Sequence, residues 1–319
     1  MTPFQAAASP GPATDTRTVL LVAHTGRSEA VSAARAVADR LHASDIVIRL
    51  LDGEAEDLGI EGEVVSSDGA APVGCEVVVV IGGDGTILRA AELTRESGTP
   101  LLGINLGHVG FLAEAEWYDV DTTVEAIIAG SYVVEDRLTL DVLVRVEGEP
   151  DANGWALNEA SVEKAARQRM LEVVVEIDDH PLSRWGCDGI VFATPTGSTA
   201  YAFSAGGPVV WPEVQALLLV PISAHALFAR PMVASVDSRL AVEILAHTGG
   251  GVLWCDGRRS CALPAGARVE VSRGTRSVRL ARLREAPFTD RLVAKFDLPV
   301  NGWRGKAGRR GRSEGAPDA

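Results

Sequence analysis

Aromatic residues are scarce in this chain. Six Trp, seven Phe and three Tyr make up 5% of 319 residues, too few to build the stacked platforms on which single-stranded nucleic acid binds. Positive charge is also in the minority: 30 Lys and Arg stand against 43 Asp and Glu, a formal charge of −13. So acidic a surface repels nucleic acid and anionic lipid, and any phosphate must be held by a local set of donors. The four cysteines, Cys75, Cys187, Cys255 and Cys261, form no CxxC pair. A zinc or redox motif therefore has no support, and free thiols in a reducing cytosol are expected. No apolar run reaches the length of a membrane helix. The opening MTPFQAAASPGPATDT has no basic stretch leading into an apolar core, so residues 1–16 read as a disordered lead-in rather than a signal peptide. Neither membrane nor nucleic acid is expected as a partner, and the expected location is the cytoplasm.

What is present divides at Gly130. The first half alternates strand-like and helix-like stretches: 18–23 (TVLLVA), a helical spacing over 29–41, 46–50, the β-branched run 76–81 (EVVVVI), a helix over 87–96, 101–104, and a helix over 122–129 closed by Gly130. A strand as uniformly β-branched as 76–81 suits a parallel sheet buried on both faces. Residues 17–130 thus predict an α/β domain with a mostly parallel sheet. Beyond it, short alternating stretches separated by Gly, Pro and Asp (139–146, 155–162, 171–177, 190–193, 217–220, 240–245, 252–255, 269–271 and 278–283) predict a β-rich, sandwich-like domain over 131–286. Residues 287–296 suggest a short helix, within a terminal segment 287–304 that docks back. The basic tail 305–319 reads as solvated and disordered.

Two stretches concentrate the chemistry. In 77–92, VVVVIGGDGTILRAAE, a buried strand runs into Gly82, Gly83 and Gly85 around Asp84, and a helix begins near Thr86. Glycines let backbone amides approach a ligand, and the helix N-terminus favours phosphate. An aspartate there repels phosphate unless a cation or a proton transfer justifies it. Asp84 is a candidate general base or metal-linked carboxylate; the alternative is a plain helix N-cap. No GK[ST] follows the glycines and no GxGxxG is present, so this is neither a P-loop nor a dehydrogenase fingerprint. The second stretch is 188–204, DGIVFATPTGSTAYAFS, where a strand opens into hydroxyl-rich sequence. Thr196, Ser198 and Thr199 offer donors and acceptors, Gly197 permits a sharp turn, and Tyr201 could meet a base or ribose. An ordinary Ser/Thr-rich turn is the alternative.

Asn158 and Glu159 fall inside the strand-like run 155–162, where they could grip a ribose diol or an adenine edge; an irregularity in a buried strand or a solvent-facing pair is the alternative. Asp256-Gly257-Arg258 ends a strand and could be a hairpin turn. His225 reads as structural, and Trp211 and Trp254 as core or interface anchors.

Taken together, GGDGT after a buried strand, NE in mid-chain and DGIVFATPTGSTAY resemble the NAD kinase family. So do NLGHVGFLAE at 105–114, FSAGGPVVWP at 203–212 and HALFARPMV at 225–233. The resemblance spans about residues 18–304. It implies phosphorylation of the adenosine 2′-hydroxyl of NAD, with the nucleotide bound between an α/β and a β-rich domain. It also implies ATP or inorganic polyphosphate as donor, a divalent cation such as Mg2+, and a homodimer or homotetramer. Carried over by position, Asp84 is the base. Gly82, Gly83, Gly85, Thr86 and Arg89 line its pocket, with Arg89 facing a phosphate. Asn158, Glu159, Arg169, Asp188, Thr196, Gly197, Ser198, Thr199, Ala200, Tyr201, Ala202, Phe203 and Ser204 hold the nucleotide. The likeness breaks at two places. Some members carry a basic residue where this chain has Gly186, and many carry glutamine where it has Arg258. The rival readings are a lipid or sugar kinase sharing GGDG, and an NAD-binding sensor without activity.

Overall fold

The computed structural model describes residues 16–105, 110–113, 115–116, 120–166, 170–283 and 287–300. The first sheet contains β1 (Thr18–Ala23), β2 (Val47–Leu51), β3 (Glu63–Val65), β4 (Val77–Ile81), β5 (Leu101–Asn105) and the two-residue β6 (Ala115–Glu116). All of these pair in parallel. The sheet is extended by β7 (Val133–Arg137) and by β20 (Val278–Arg282), in the order β3-β2-β1-β4-β5-β20-β7 with β6 beside β5. Every residue of β1 after Thr18 and every residue of β4 and β5 is buried, as parallel strands covered on both faces require. Helices α1 (Ser28–His42) and α4 (Val120–Ala129) cover one face, while α3 (Asp84–Thr94) covers the other. The four-residue α2 (Ala55–Leu58) follows β2.

Two antiparallel sheets form the second domain. One runs β15 (Met232–Ser235), β14 (Ala216–Ile222), β13 (Gly189–Ala193), β10 (Glu159–Lys164), β17 (Gly251–Cys255), β18 (Arg259–Leu263). The other runs β12 (His180–Cys187), β11 (Leu171–Ile177), β16 (Leu240–Ile244), β19 (Arg268–Arg273), β8 (Leu140–Arg145), β9 (Ala152–Ala156). Their facing side chains, Trp185 and Phe192 the largest, make one core, the arrangement of a sandwich. The helical turn α5 (Tyr201–Ser204) lies on the outer face of the first of these sheets, with Ala202 packed among Val191, Ala193, Leu218 and Val220. Helix α6 (Phe288–Phe296) closes the described chain.

The α/β domain and the β-rich domain are as the sequence predicts, with three differences. Both ends of the stretch expected to be β-rich, β7 and β20, belong to the first sheet. Their alternation looks the same whichever sheet receives them. The run 155–162 is two strands rather than one: the chain leaves the sheet of β9 at Ala156 and enters the sheet of β10 at Glu159. Helix α3 starts at Asp84 rather than near Thr86, because its first turn is polar and carries no apolar period. The lead-in 1–15 and the tail beyond 300 lie outside the described residues.

Candidate active site

The glycine loop is built by close packing on one side and left open on the other. Gly82 has φ +156°, and a methyl group there would stand 2.5 Å from Oγ1 of the buried Thr86; only glycine fits. Gly83 and Gly85 meet no other atom within 4 Å of where a Cβ would sit. The backbone around the start of α3 is therefore accessible at the end where a helix favours an anion.

Asp84 is the first residue of α3, and Gly83 takes the N-cap position with no side-chain cap. The capping alternative is thereby set aside. Its carboxylate instead accepts the backbone amides of Phe111 (3.1 Å) and Leu112 (3.2 Å). Glycine at 110 is required because any side chain there would collide with that carboxylate. The carbonyls of the same segment are held as well. Arg291 of α6 donates to Phe111 O and Ala113 O, each at 3.2 Å. Arg282 of β20 donates to Leu112 O at 3.2 Å and Ala113 O at 3.4 Å. Arg89, on the second turn of α3, keeps part of its side chain exposed while holding partners within the protein. It pairs with the buried carboxylate of Glu54 at 2.5 Å and donates to Ala23 O at 3.0 Å, while Glu54 accepts the Ala23 amide at 2.8 Å.

Asn158 and Glu159 occupy the crossing between the two β-sheets. Asp256, buried at the turn after β17, accepts the amides of Leu157 (3.0 Å), Asn158 (2.7 Å) and Glu159 (3.4 Å). Asp256 and Gly257 both have positive φ, so the tight-turn reading holds, and the turn also fixes the NE pair. Leu157 is buried in the core that α3 makes with the first sheet, among Ile87, Ala90 and Ala91. Arg259 binds Asp256 at 2.7 Å and Glu92 of α3 at 3.3 Å, and Arg258 reaches Glu92 at 3.0 Å. The NE crossing is thus fastened to the helix that begins with Asp84.

Thr194 and Gly197 complete the junction. The Thr194 hydroxyl donates to Leu157 O at 2.6 Å and accepts the Gly197 amide at 3.0 Å. A Cβ on Gly197 would run into the Asn158 carbonyl. The 3₁₀ turn Thr196–Thr199 is consequently pressed against the NE pair. The Ser198 hydroxyl is spent internally, donating to Val210 O (3.1 Å) and accepting Val210 N (2.9 Å), and Thr199 donates to Thr196 O (3.3 Å). Thr196 is buried and Ala200 half-buried. Tyr201, Phe203 and Ser204 are exposed, and Ala202 is in the core beneath them.

Along β10 the register sends Ala160 and Val162 into the sandwich core. Glu159, Ser161 and Glu163 take the opposite face. Ser161 donates to Glu163 at 2.7 Å, and Lys164 pairs with Asp188. Glu159 is the outlier. Burial, with the Asp256 charge adding repulsion against a partial offset from the Tyr201 amide, pushes its pKa up to about 8. Its Oε2 is buried without a hydrogen-bond partner. A neutral carboxyl at this position can both donate to and accept from a bound ribose or base. Gly186 uses its carbonyl to accept the His225 amide at 2.7 Å, and Arg169 lies outside the described residues. Glu54 and Asp256 carry structural weight here that sequence reasoning did not assign them.

Two family models match: the ATP-NAD kinase N-terminal domain over residues 19–132 and the ATP-NAD kinase C-terminal domain over 157–283. An NAD kinase 2 of Streptomyces coelicolor is 61% identical over 292 residues, covering 91% of this chain and 97% of that one. The chain belongs to the NAD kinase family. An NAD kinase of Thermobifida fusca is 58% identical over 93% of this chain and 94% of its own. The fold is shared more widely. The crystal structure of yeast NADH kinase complexed with NADH superposes with TM-score 0.81 at 21% identity, covering 90% of this chain and 89% of that one. An NAD kinase from Archaeoglobus fulgidus in complex with ATP gives 0.67 at 23%, covering 88% and 98%. The resemblance drawn from GGDGT, NE and TPTGSTAY is borne out, and family membership disfavours the lipid-kinase, sugar-kinase and sensor alternatives.

Proposed function

We propose that the chain transfers a phosphoryl group to the adenosine 2′-hydroxyl of NAD, giving NADP, with Asp84 as the general base. The observation that carries this reading is the fastening of two motifs to one helix. The NE crossing is anchored to α3 through Leu157 and the Glu92 ion pairs, and α3 begins with Asp84 beside the open amides of Gly83 and Gly85. Phosphoryl transfer depends on such positioning and on charge neutralisation more than on covalent chemistry. Asn158, Glu159 and Tyr201 would orient the nucleotide, and Asp84 would take the 2′-hydroxyl proton.

Among the described residues no group of three or more His, Cys, Asp or Glu side chains is placed to hold a metal ion. That fits a Mg2+ ion that arrives on the donor's phosphates, which needs only one or two protein carboxylates; Asp84 is the carboxylate that would reach it. The ion would neutralise charge on the transferring group. ATP is the donor we favour, with polyphosphate a second donor to be tested. The ATP-NAD kinase family to which the chain matches, and the ATP complex of the Archaeoglobus fulgidus NAD kinase, support ATP and NAD as ligands. The location we propose is the cytoplasm; among the described residues no helix is long and apolar enough to cross a membrane. Exposed Leu227, Phe228 and Val233, beside the edge strand β15, support assembly into dimers or tetramers.

Purified protein given NAD, Mg2+ and either ATP or polyphosphate is expected to form NADP, read with an NADP-specific dehydrogenase. Asp84→Asn should keep NAD binding within about twofold and lower kcat by roughly 10²–10⁴-fold, the usual contribution of a general base. Wild-type turnover in that variant would remove Asp84 from the reaction.

A further inference from the structure

Helix α6 touches two of the motif segments at once. Its Phe288 ring lies 5.9 Å from that of Phe111 and 5.3 Å from that of Trp211. Its Phe296 ring lies 5.9 Å from Phe111 and 4.8 Å from Phe203. Phe111 belongs to the segment whose amides hold Asp84, while Phe203 and Trp211 belong to the hydroxyl-rich loop and the stretch after it. Residues 288, 292 and 296 share one helix face, with 291 beside it. No residue of α6 is buried. The helix is therefore held by a few rings and one guanidinium rather than by a core.

That guanidinium has a particular address. The peptide unit joining Phe111 to Leu112 presents its carbonyl to Arg291 at 3.2 Å and its N–H to Asp84 at 3.2 Å. A cationic donor on the carbonyl polarises the peptide and strengthens its N–H as a donor, because hydrogen bonds in series reinforce one another. Arg282 holds the neighbouring carbonyls of Leu112 and Ala113 from the opposite element. The segment is therefore clamped between one carboxylate and two arginines.

We propose that Arg291 is a positioning residue for Asp84, acting through the Phe111–Leu112 peptide, and that the aromatic face of α6 ties this positioning to the nucleotide loop. A helix that grips the Asp84 segment and Phe203 together makes the placement of the carboxylate depend on the state of that loop. The proposal rests on Asp84 being the base of the NAD kinase reaction.

The test compares Arg291→Met, Arg291→Lys and Phe296→Ala in the full chain, with steady-state kinetics for NAD and ATP and a thermal melt of each. Arg291→Met is expected to lower kcat about tenfold while KM for NAD stays within about twofold, and Arg291→Lys to recover most of the loss. Phe296→Ala, which touches both loops, should lower kcat and raise KM together. A double-mutant cycle with Asp84→Asn completes it: the tenfold effect of Arg291→Met should shrink to about twofold or less when Asp84 is already replaced. An unchanged kcat in Arg291→Met, or a full effect persisting without the Asp84 carboxylate, overturns the proposal. If Arg291→Met does not fold, Arg291→Gln takes its place with the same expected loss, and wild-type kinetics in it overturn the proposal. A wild-type protein that forms no NADP, or an Asp84→Asn variant with full activity, defeats the underlying reaction instead and is seen before the Arg291 variants are compared.

Discussion

Asp256 holds Asn158 by its backbone: the buried carboxylate accepts the Asn158 amide at 2.7 Å, across 98 residues of sequence. The contact stands where the chain changes sheets, so those amides have no strand partner. Replacing Asp256 with Ala leaves three buried N–H groups without their acceptor. A loss of about 2–4 kcal/mol is expected, since each unsatisfied buried donor costs about 1–3 kcal/mol and the effects overlap. Urea unfolding measures it, and KM for NAD should rise as Asn158 and Glu159 lose their fixed placement. An unchanged midpoint would mean that the crossing is held by Thr194 alone.

Gly197 packs so tightly on the Asn158 carbonyl that a methyl group has no room. Gly197→Ala must push the Thr196–Thr199 turn off the NE pair. Overpacking of this kind costs about 1–3 kcal/mol, and here the displacement falls on the nucleotide side. A KM for NAD raised by tenfold or more is expected beside a modest drop in Tm; normal KM would show that the turn and the NE pair act independently.

Glu159 should leave a signature in the pH dependence of stability. Its folded pKa is pushed up to about 8, chiefly by burial, whereas an unfolded glutamate titrates near 4.3. Between those values the folded chain retains a proton that the unfolded chain has released. Stability from this group therefore falls as pH rises through the window and levels off above it. Urea midpoints measured from pH 5 to 8.5 should decline for wild type, and Glu159→Gln should lose that part of the slope and gain relative stability at pH 8. Parallel curves for the two proteins would locate the proton elsewhere.

Arg89 and Glu54 form a partly buried pair at 2.5 Å, with the Glu54 side chain only 4% exposed. Arg89→Met strands a buried carboxylate and should cost about 2–4 kcal/mol, discounted from the fully buried case because Arg89 keeps some solvent. Adding Glu54→Gln should recover part of that stability by removing the charge. If turnover stays low in the restored double variant, Arg89 serves the phosphates as well as Glu54; if turnover returns, its task is the pair alone.

The α/β half was legible because its signals are local. The run of Val77–Ile81 predicts a doubly covered strand from its own side chains, and Gly130, with φ +63°, stops α4 where it stands. GGDG and TPTGST were visible for the same reason. What stayed hidden joins distant segments. Nothing near Glu54 in the sequence points to Arg89 or to the Ala23 amide. Nothing near Asp256 points to residues 157–159. The break between β9 and β10 is caused by these remote partners, so the alternation of 155–162 passes through it unmarked. Strand-type periodicity also carries no label for the sheet that receives it, which is why β7 and β20 were grouped with the sandwich.

The placement of β20 has a consequence for how the protein comes into being. The first sheet needs Val278–Arg282 between β5 and β7, yet that strand is separated from β7 by the entire sandwich. A chain emerging from the ribosome can build the α/β layers early, but it cannot seat β7 until some 280 residues have been made. The sandwich is therefore an insertion whose two ends must return to adjacent strands, and it has to be compact before the sheet can close over it. Assembly by this route is slow, since closing so long a loop comes before its contacts form. Once closed, the two domains share a pair of neighbouring strands as their tether, and neither can unfold far without pulling on the other.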